Sequence, residues 1–147
     1  MIDSNTLLDT NILVYAFDKD EKDKNSIASK LIEKVINNEI SIVLSIQNLS
    51  EFYYIITRKI PKPIPQSDAK NHVAKLIFLS NIKIFGIKAG SILNAIEIST
   101  EFNIPYWDSL IVAVMKENNI FTIITENEKD FKKGIHEAFK YDTKIII

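Results

Sequence analysis

The 147-residue chain contains no cysteine, which excludes disulfides, thiolate metal sites and thiol nucleophiles. Any metal must therefore be held by oxygen or imidazole. Its two histidines, His72 and His136, stand apart from one another and from any spacing that makes a zinc site or a catalytic dyad, so both read as helix-surface residues. Arg58 is the only arginine; lysine supplies the remaining positive charge, and the net charge is −1. Near-neutrality speaks against a general nucleic-acid coat, whose affinity rests on many phosphate contacts. It leaves a nuclease open, because a local basic rim suffices and a bound metal cancels part of an acidic potential. No apolar run approaches membrane-spanning length, and the N-terminus has no basic segment followed by an apolar one, so a cytosolic protein is expected. With 46% hydrophobic and 25% charged residues, the expectation is a single globular domain over residues 1–147.

What the chain does have is short apolar runs alternating with longer stretches of helical period, the pattern of an α/β domain with a mainly parallel sheet. Strands are expected at Ser4 to Leu8, Ser41 to Leu44, Lys83 to Phe85, Phe121 to Thr125 and Lys144 to Ile147. Helices are expected at about Ile12 to Phe17, Asn25 to Asn37, Ile46 to Lys59, Asp68 to Leu79, Ala89 to Phe102 and Ser109 to Asn118. The mixed-charge stretch Asp18 to Lys24 reads as a solvated loop before a helix capped by Asn25 or Ser26. Pro61, Pro63 and Pro65 end one helix and space it from the next.

Three carboxylates border apolar segments: Asp9 after Leu7-Leu8, Glu51 within Ile46 to Ile56, and Asp108 before Leu110 to Met115. A carboxylate beside a core is costly unless paired, hydrogen-bonded or bound to metal, so three of them point to one shared cation site. Taken in isolation, the segment around Asp9 reads first as a turn with Asp9 or Asn11 as a helix cap. Yet ligands of open α/β sheets bind at the carboxyl ends of parallel strands, where Asp9 would point. On a helical wheel Ile46, Leu49, Tyr53 and Ile56 form an apolar seam, and Gln47, Glu51, Tyr54 and Arg58 a polar stripe. That stripe is either an ordinary solvent face or a cleft face on which Glu51 serves a metal while Arg58 and Tyr54 touch phosphate or base. Asp108 precedes a helix apolar on every side and reads as its N-cap, a role compatible with metal ligation. After the strand at Phe121 to Thr125 come Glu126, Asn127, Glu128 and Asp130; Thr125 and Asn127 would face Asp9 only if that strand lay beside the first.

Together, Leu8-Asp9-Thr10-Asn11-Ile12-Leu13, Ser50-Glu51-Phe52, Trp107-Asp108-Ser109-Leu110-Ile111-Val112-Ala113 and Thr125 to Phe131 resemble the PIN-domain nucleases, in order and in spacing. The resemblance covers essentially the whole chain, and its size is similar to VapC, the toxin of VapBC toxin-antitoxin pairs. It implies a three-layer α/β/α fold with a mainly parallel sheet of about five strands. It also implies a metal-dependent endoribonuclease with acids at the positions matched by Asp9, Glu51 and Asp108. Thr10, Asn11 and Thr125 match small polar positions that support those acids. Asn127 stands where a fourth acid is expected, a weaker ligand, with Glu126, Glu128 and Asp130 as neighbouring candidates. Hard oxygen donors suit Mg²⁺ or Mn²⁺. On this reading Asp9 and Asp108 are the main ligands, Glu51 acts directly or through water, and Arg58 and Tyr54 bind substrate. The expected partners are RNA, a VapB-like antitoxin and a second copy of the chain in a homodimer.

Competing expectations are a stand-alone RNA-processing nuclease and an inactive PIN-like scaffold binding RNA or protein. A haloacid-dehalogenase-like phosphatase needs a second aspartate two residues after the first, where this chain has Asn11. A receiver-like signalling domain needs a phosphate-accepting aspartate after the middle strand and a lysine near the end, and neither is found.

Overall fold

Leu7 and Leu8 are neighbours in sequence and enter opposite cores, because successive strand side chains alternate between the faces of a sheet. The computed structural model describes residues 4–129, 131 and 144–146. Asp130, His136 and Ile147 lie outside the described residues. The strands are β1 (Thr6–Leu8), β2 (Ile42–Ser45), β3 (Ile82–Phe85), β4 (Thr122–Ile124) and β5 (Lys144–Ile146). Between them lie α1 (Thr10–Tyr15), α2 (Lys22–Ile36), α3 (Ile46–Arg58), α4 (Gln66–Phe78), α5 (Ala89–Phe102) and α6 (Tyr106–Glu117).

Among the described residues the sheet has five strands in the order β3-β2-β1-β4-β5, with every neighbouring pair parallel. One face is covered by α5 and α6, whose Ala95, Ile98 and Leu110 to Ala113 pack with Leu7, Val43 and Ile123. The other is covered by α1 to α4 through Leu13, Ile32, Phe52 and Leu76 against Leu8, Leu44 and Ile124. Helices on both faces make three layers, as expected for an all-parallel sheet buried on both sides. The chain leaves β1 toward β2 on one side and returns to it through β4 on the other. The carboxyl ends of β1 and β4 therefore flank a topological switch point, where open α/β sheets bind ligands. Among the described residues no helix is long and apolar enough to cross a membrane.

Several local expectations are corrected. The helix expected from Asn25 begins at Lys22, with Glu21 rather than Asn25 or Ser26 at its cap. Asn25 instead donates from Nδ2 to the Tyr15 carbonyl at 2.8 Å, so its side chain is committed elsewhere. The charged stretch is thereby divided: Asp18 is buried and accepts from the Asp20 N–H, while Lys22 to Lys24 form the first turn of α2. In α3 the buried residues are Gln47, Asn48, Leu49, Phe52 and Ile56, whereas Ile46 is half exposed, so the inward face is rotated from the expected seam. Helix α6 starts early, with Pro105 at its cap, which moves Asp108 from the cap into the first turn. Proline suits that start, where its missing N–H has no helical partner to lose. His72 is half-buried on α4 with its ring centroid 4.6 Å from that of Phe17.

Candidate metal and catalytic site

Asp9 leaves β1 directly: its N–H donates to the Ile124 carbonyl at 3.0 Å, which extends the β1–β4 pairing by one residue. It is also the N-cap of α1, accepting from the Thr10 N–H on Oδ1 at 2.8 Å. Its other oxygen, Oδ2, accepts from the Thr125 hydroxyl at 2.7 Å. Cap and site residue are thus one side chain. Because β4 lies beside β1, Thr125 faces Asp9 as expected of that pairing, whereas the Asn127 side chain reaches Asp108 instead. Burial pushes the Asp9 carboxyl above its ordinary range; the Thr125 and Thr10 donors oppose the rise, and the nearby Glu51 carboxylate adds to it.

Glu51 is positioned by α3, which starts immediately after β2 and is anchored by a reciprocal cap. The Asn48 N–H donates to Ser45 Oγ at 3.1 Å, and the Ser45 N–H donates to Asn48 Oδ1 at 2.9 Å. Asn48 Nδ2 then donates to the Thr10 hydroxyl at 3.1 Å, and that hydroxyl donates to Glu51 Oε2 at 3.0 Å. Gln47, one turn before Glu51, donates from Nε2 to Glu51 Oε1 at 2.7 Å and to the Trp107 carbonyl at 3.0 Å.

Asp108 follows Trp107 and accepts on Oδ2 from Asn127 Nδ2 at 3.2 Å, while the Asn127 N–H donates to the Thr125 hydroxyl at 2.9 Å. The three acids therefore sit on one closed circuit through Thr10, Gln47, the Trp107–Asp108 peptide, Asn127 and Thr125. They are linked through these small donors rather than packed together. Among the described residues no three acidic or imidazole side chains are grouped as a ready cage for an ion. Gln47 Oε1 is buried without a hydrogen-bond partner, an acceptor beside Glu51 that protein atoms leave unsatisfied.

The other expected residues are spread more widely. Asn11 is exposed on the first turn of α1 and takes no part in the circuit. Tyr54 and Arg58 are exposed, with the guanidinium carbon 5.7 Å from the Tyr54 ring centroid. Arg58 lies seven residues beyond Glu51, about 10 Å along the helix axis. Glu126 is bound to Lys24 and to the Tyr15 hydroxyl, so it serves that cation rather than Asp9. Lys24 holds the Glu126 carboxyl below its ordinary range. Asn48, Tyr15 and Lys24 do not stand out in the sequence as residues of this region. Ser45 and Asn48 at capping-box spacing were a usable signal for the first; contacts across 111 and 102 residues left no local trace of the others.

Residues 6–134 match the family model described as PIN domain. No curated protein matches the chain. Its fold is similar to that of Mycobacterium tuberculosis VapC20, a sarcin-ricin loop cleaving toxin, with a TM-score of 0.68 and 14% identity over 88% of this chain and 95% of that one. It is also similar to a chain of VapBC2 from Rickettsia felis, a complex bound to a promoter DNA fragment, with 27% identity and a TM-score of 0.59 over 95% of this chain and 96% of that one. A toxin-antitoxin complex from Klebsiella pneumoniae contains a further similar chain, with 19% identity and a TM-score of 0.60 over 86% and 89% of the two chains. A family match spanning most of the sequence thus accompanies a parallel sheet whose switch point carries Asp9 and Thr125, and the chain belongs to the PIN domain family.

Proposed function

We propose that this protein is a divalent-metal-dependent endoribonuclease and the toxin of a toxin-antitoxin pair. The observation that carries the reading is the closed circuit holding Asp9, Glu51 and Asp108 at the β1–β4 switch point. The similar Rickettsia and Klebsiella chains come from toxin-antitoxin complexes, which supports an antitoxin partner. That VapC20 is a sarcin-ricin loop cleaving toxin supports RNA as substrate.

The donors fit a hydrated Mg²⁺ or Mn²⁺. They are hard oxygens, and Mg²⁺ takes only one or two protein carboxylates while keeping several waters. Acids bridged by hydroxyls and amides, beside the unsatisfied Gln47 oxygen, suit an ion bound partly through water. Asp9 and Asp108 would hold it, with Glu51 contacting it through water and Asn127 contributing at most a neutral oxygen. Such an ion supplies charge neutralisation for the phosphodiester and acidity to water. Glu51, steadied by Thr10 and Gln47, orients the attacking water; Thr10 and Thr125 fix Asp9, and Asn127 fixes Asp108. Arg58 and Tyr54 contact the strand away from the cleaved bond. The exposed apolar face of α5, with Ile92, Leu93 and Ile96, supports a homodimer.

Purified protein is expected to cleave RNA with Mg²⁺ or Mn²⁺ and to stop with chelator. Loss of a residue that only supports a metal ligand typically costs about 10- to 100-fold, so Asp9→Asn and Asp108→Asn should each cost more than about 100-fold. Undiminished cleavage in both variants would sink the assignment.

A further inference from the structure

Beside the acids, at the exit of β4, lies a group that the cleavage site does not use: Tyr15 at the end of α1, Lys24 in the first turn of α2, and Glu126 next to Thr125. Each Glu126 oxygen has its own donor, the Tyr15 hydroxyl on Oε2 and the Lys24 ammonium on Oε1. Lys24 also donates to the Tyr15 oxygen at 3.2 Å and lies 4.7 Å from that ring's centroid, so the two donors are held together. A hydroxyl and an ammonium gripping two oxygens of one anion are also what the two non-bridging oxygens of a phosphodiester require. The group is open to solvent, with Lys24 and Glu126 side chains 44% and 39% exposed, and an ion pair this exposed is weak enough to exchange. A polyanion approaching Asp9, Glu51 and Asp108 needs a cation on the rim, and Lys24 stands one residue's reach from the Thr125 that binds Asp9.

We propose that Tyr15 and Lys24 form a seat for a backbone phosphate of the RNA strand, filled in the free protein by the Glu126 carboxylate. The seat presupposes the ribonuclease reading above. Its consequence is a sign: Glu126 competes with RNA for Lys24, so removing the carboxylate strengthens binding while removing the ammonium weakens it. A purely structural latch predicts that both removals act alike.

The test measures fluorescence anisotropy of a labelled single-stranded oligoribonucleotide across a salt series, in chelator so that nothing is cut. Melting curves verify that each variant is folded. Lys24→Ala is expected to bind roughly three- to tenfold more weakly, as for one lost hydrogen bond at a solvent-exposed site. Its slope of log affinity against log salt should be shallower by about 0.7, the value for one phosphate contact on a single strand. Tyr15→Phe weakens binding with the slope kept. Glu126→Gln tightens binding, and that gain vanishes when Lys24→Ala is also present. Weaker binding in Glu126→Gln, or an unchanged slope in Lys24→Ala while wild type binds and cleaves RNA, overturns the seat and leaves the ribonuclease reading standing. Wild type that neither binds nor cleaves RNA overturns both.

Discussion

Asp9 is 6% exposed, with one carboxylate oxygen on the Thr10 N–H and the other on the Thr125 hydroxyl. Two donors do not offset burial, and the carboxyl stays above its ordinary range. The folded protein therefore keeps a proton that the unfolded chain has begun to release once pH exceeds about 4, the ordinary aspartate value. Stability from this group is fully present below that value and is lost as pH rises through the folded pKa. Asparagine has nearly the same shape, is a good N-cap and carries no charge to desolvate. In chelator at pH 7, Asp9→Asn is accordingly expected to melt above wild type, with the gap closing as pH falls toward 4. A variant that melts below wild type at pH 7 contradicts the account. The acids were legible in the sequence because a charge beside an apolar run has few cheap explanations. Gln47 was legible only as part of a polar stripe, since its inward turn depends on where α6 places the Trp107 carbonyl.

Helix α3 is the element that carries information between the two halves of the site. Its first turn is locked by the Ser45–Asn48 cap, and its Gln47 joins Glu51 to α6 through the Trp107 carbonyl. Gln47→Ala cuts that link without touching an acid. It removes two hydrogen bonds and also an unsatisfied buried oxygen, so the effects on stability partly cancel. The expected result is kcat lower by roughly 10- to 100-fold, as for loss of a supporting partner, with KM little changed and melting close to wild type. Equal cleavage by Gln47→Ala would show that Glu51 needs no such orientation. Helix α5 matched its expected range from Ala89 to Phe102, while α6 began three residues before Ser109 because Pro105 makes an acceptable start. Periodicity reports the buried body of a helix, and the first turn is decided by which side chain caps it.

For the whole molecule, the decisive fact is nonlocal: Asp9 and Thr125 meet across 116 residues because β4 lies beside β1. Apolar runs announce strands but not their neighbours, so the sequence supported a parallel sheet while leaving the facing of Thr125 and Asn127 conditional. The circuit also draws on β1, α3, α6 and β4 at once, so no isolated segment reproduces the site and the unfolded chain has nothing comparable to offer a cation. A ligand that binds only the folded state stabilises it by about 2.7 kcal/mol when its free concentration is 100 times the dissociation constant. For a domain of this size that corresponds to roughly 5–11 °C in melting temperature. Mn²⁺ titrated into chelator-treated wild type is expected to raise the melting temperature on that scale, and to raise it far less in Asp9→Asn. The two effects at Asp9 then oppose each other, and the variant that melts higher in chelator becomes the less stable protein once the ion saturates wild type. A crossing of the two melting curves with Mn²⁺ concentration is the signature of a folded-state ion at Asp9; parallel curves would place any bound ion elsewhere.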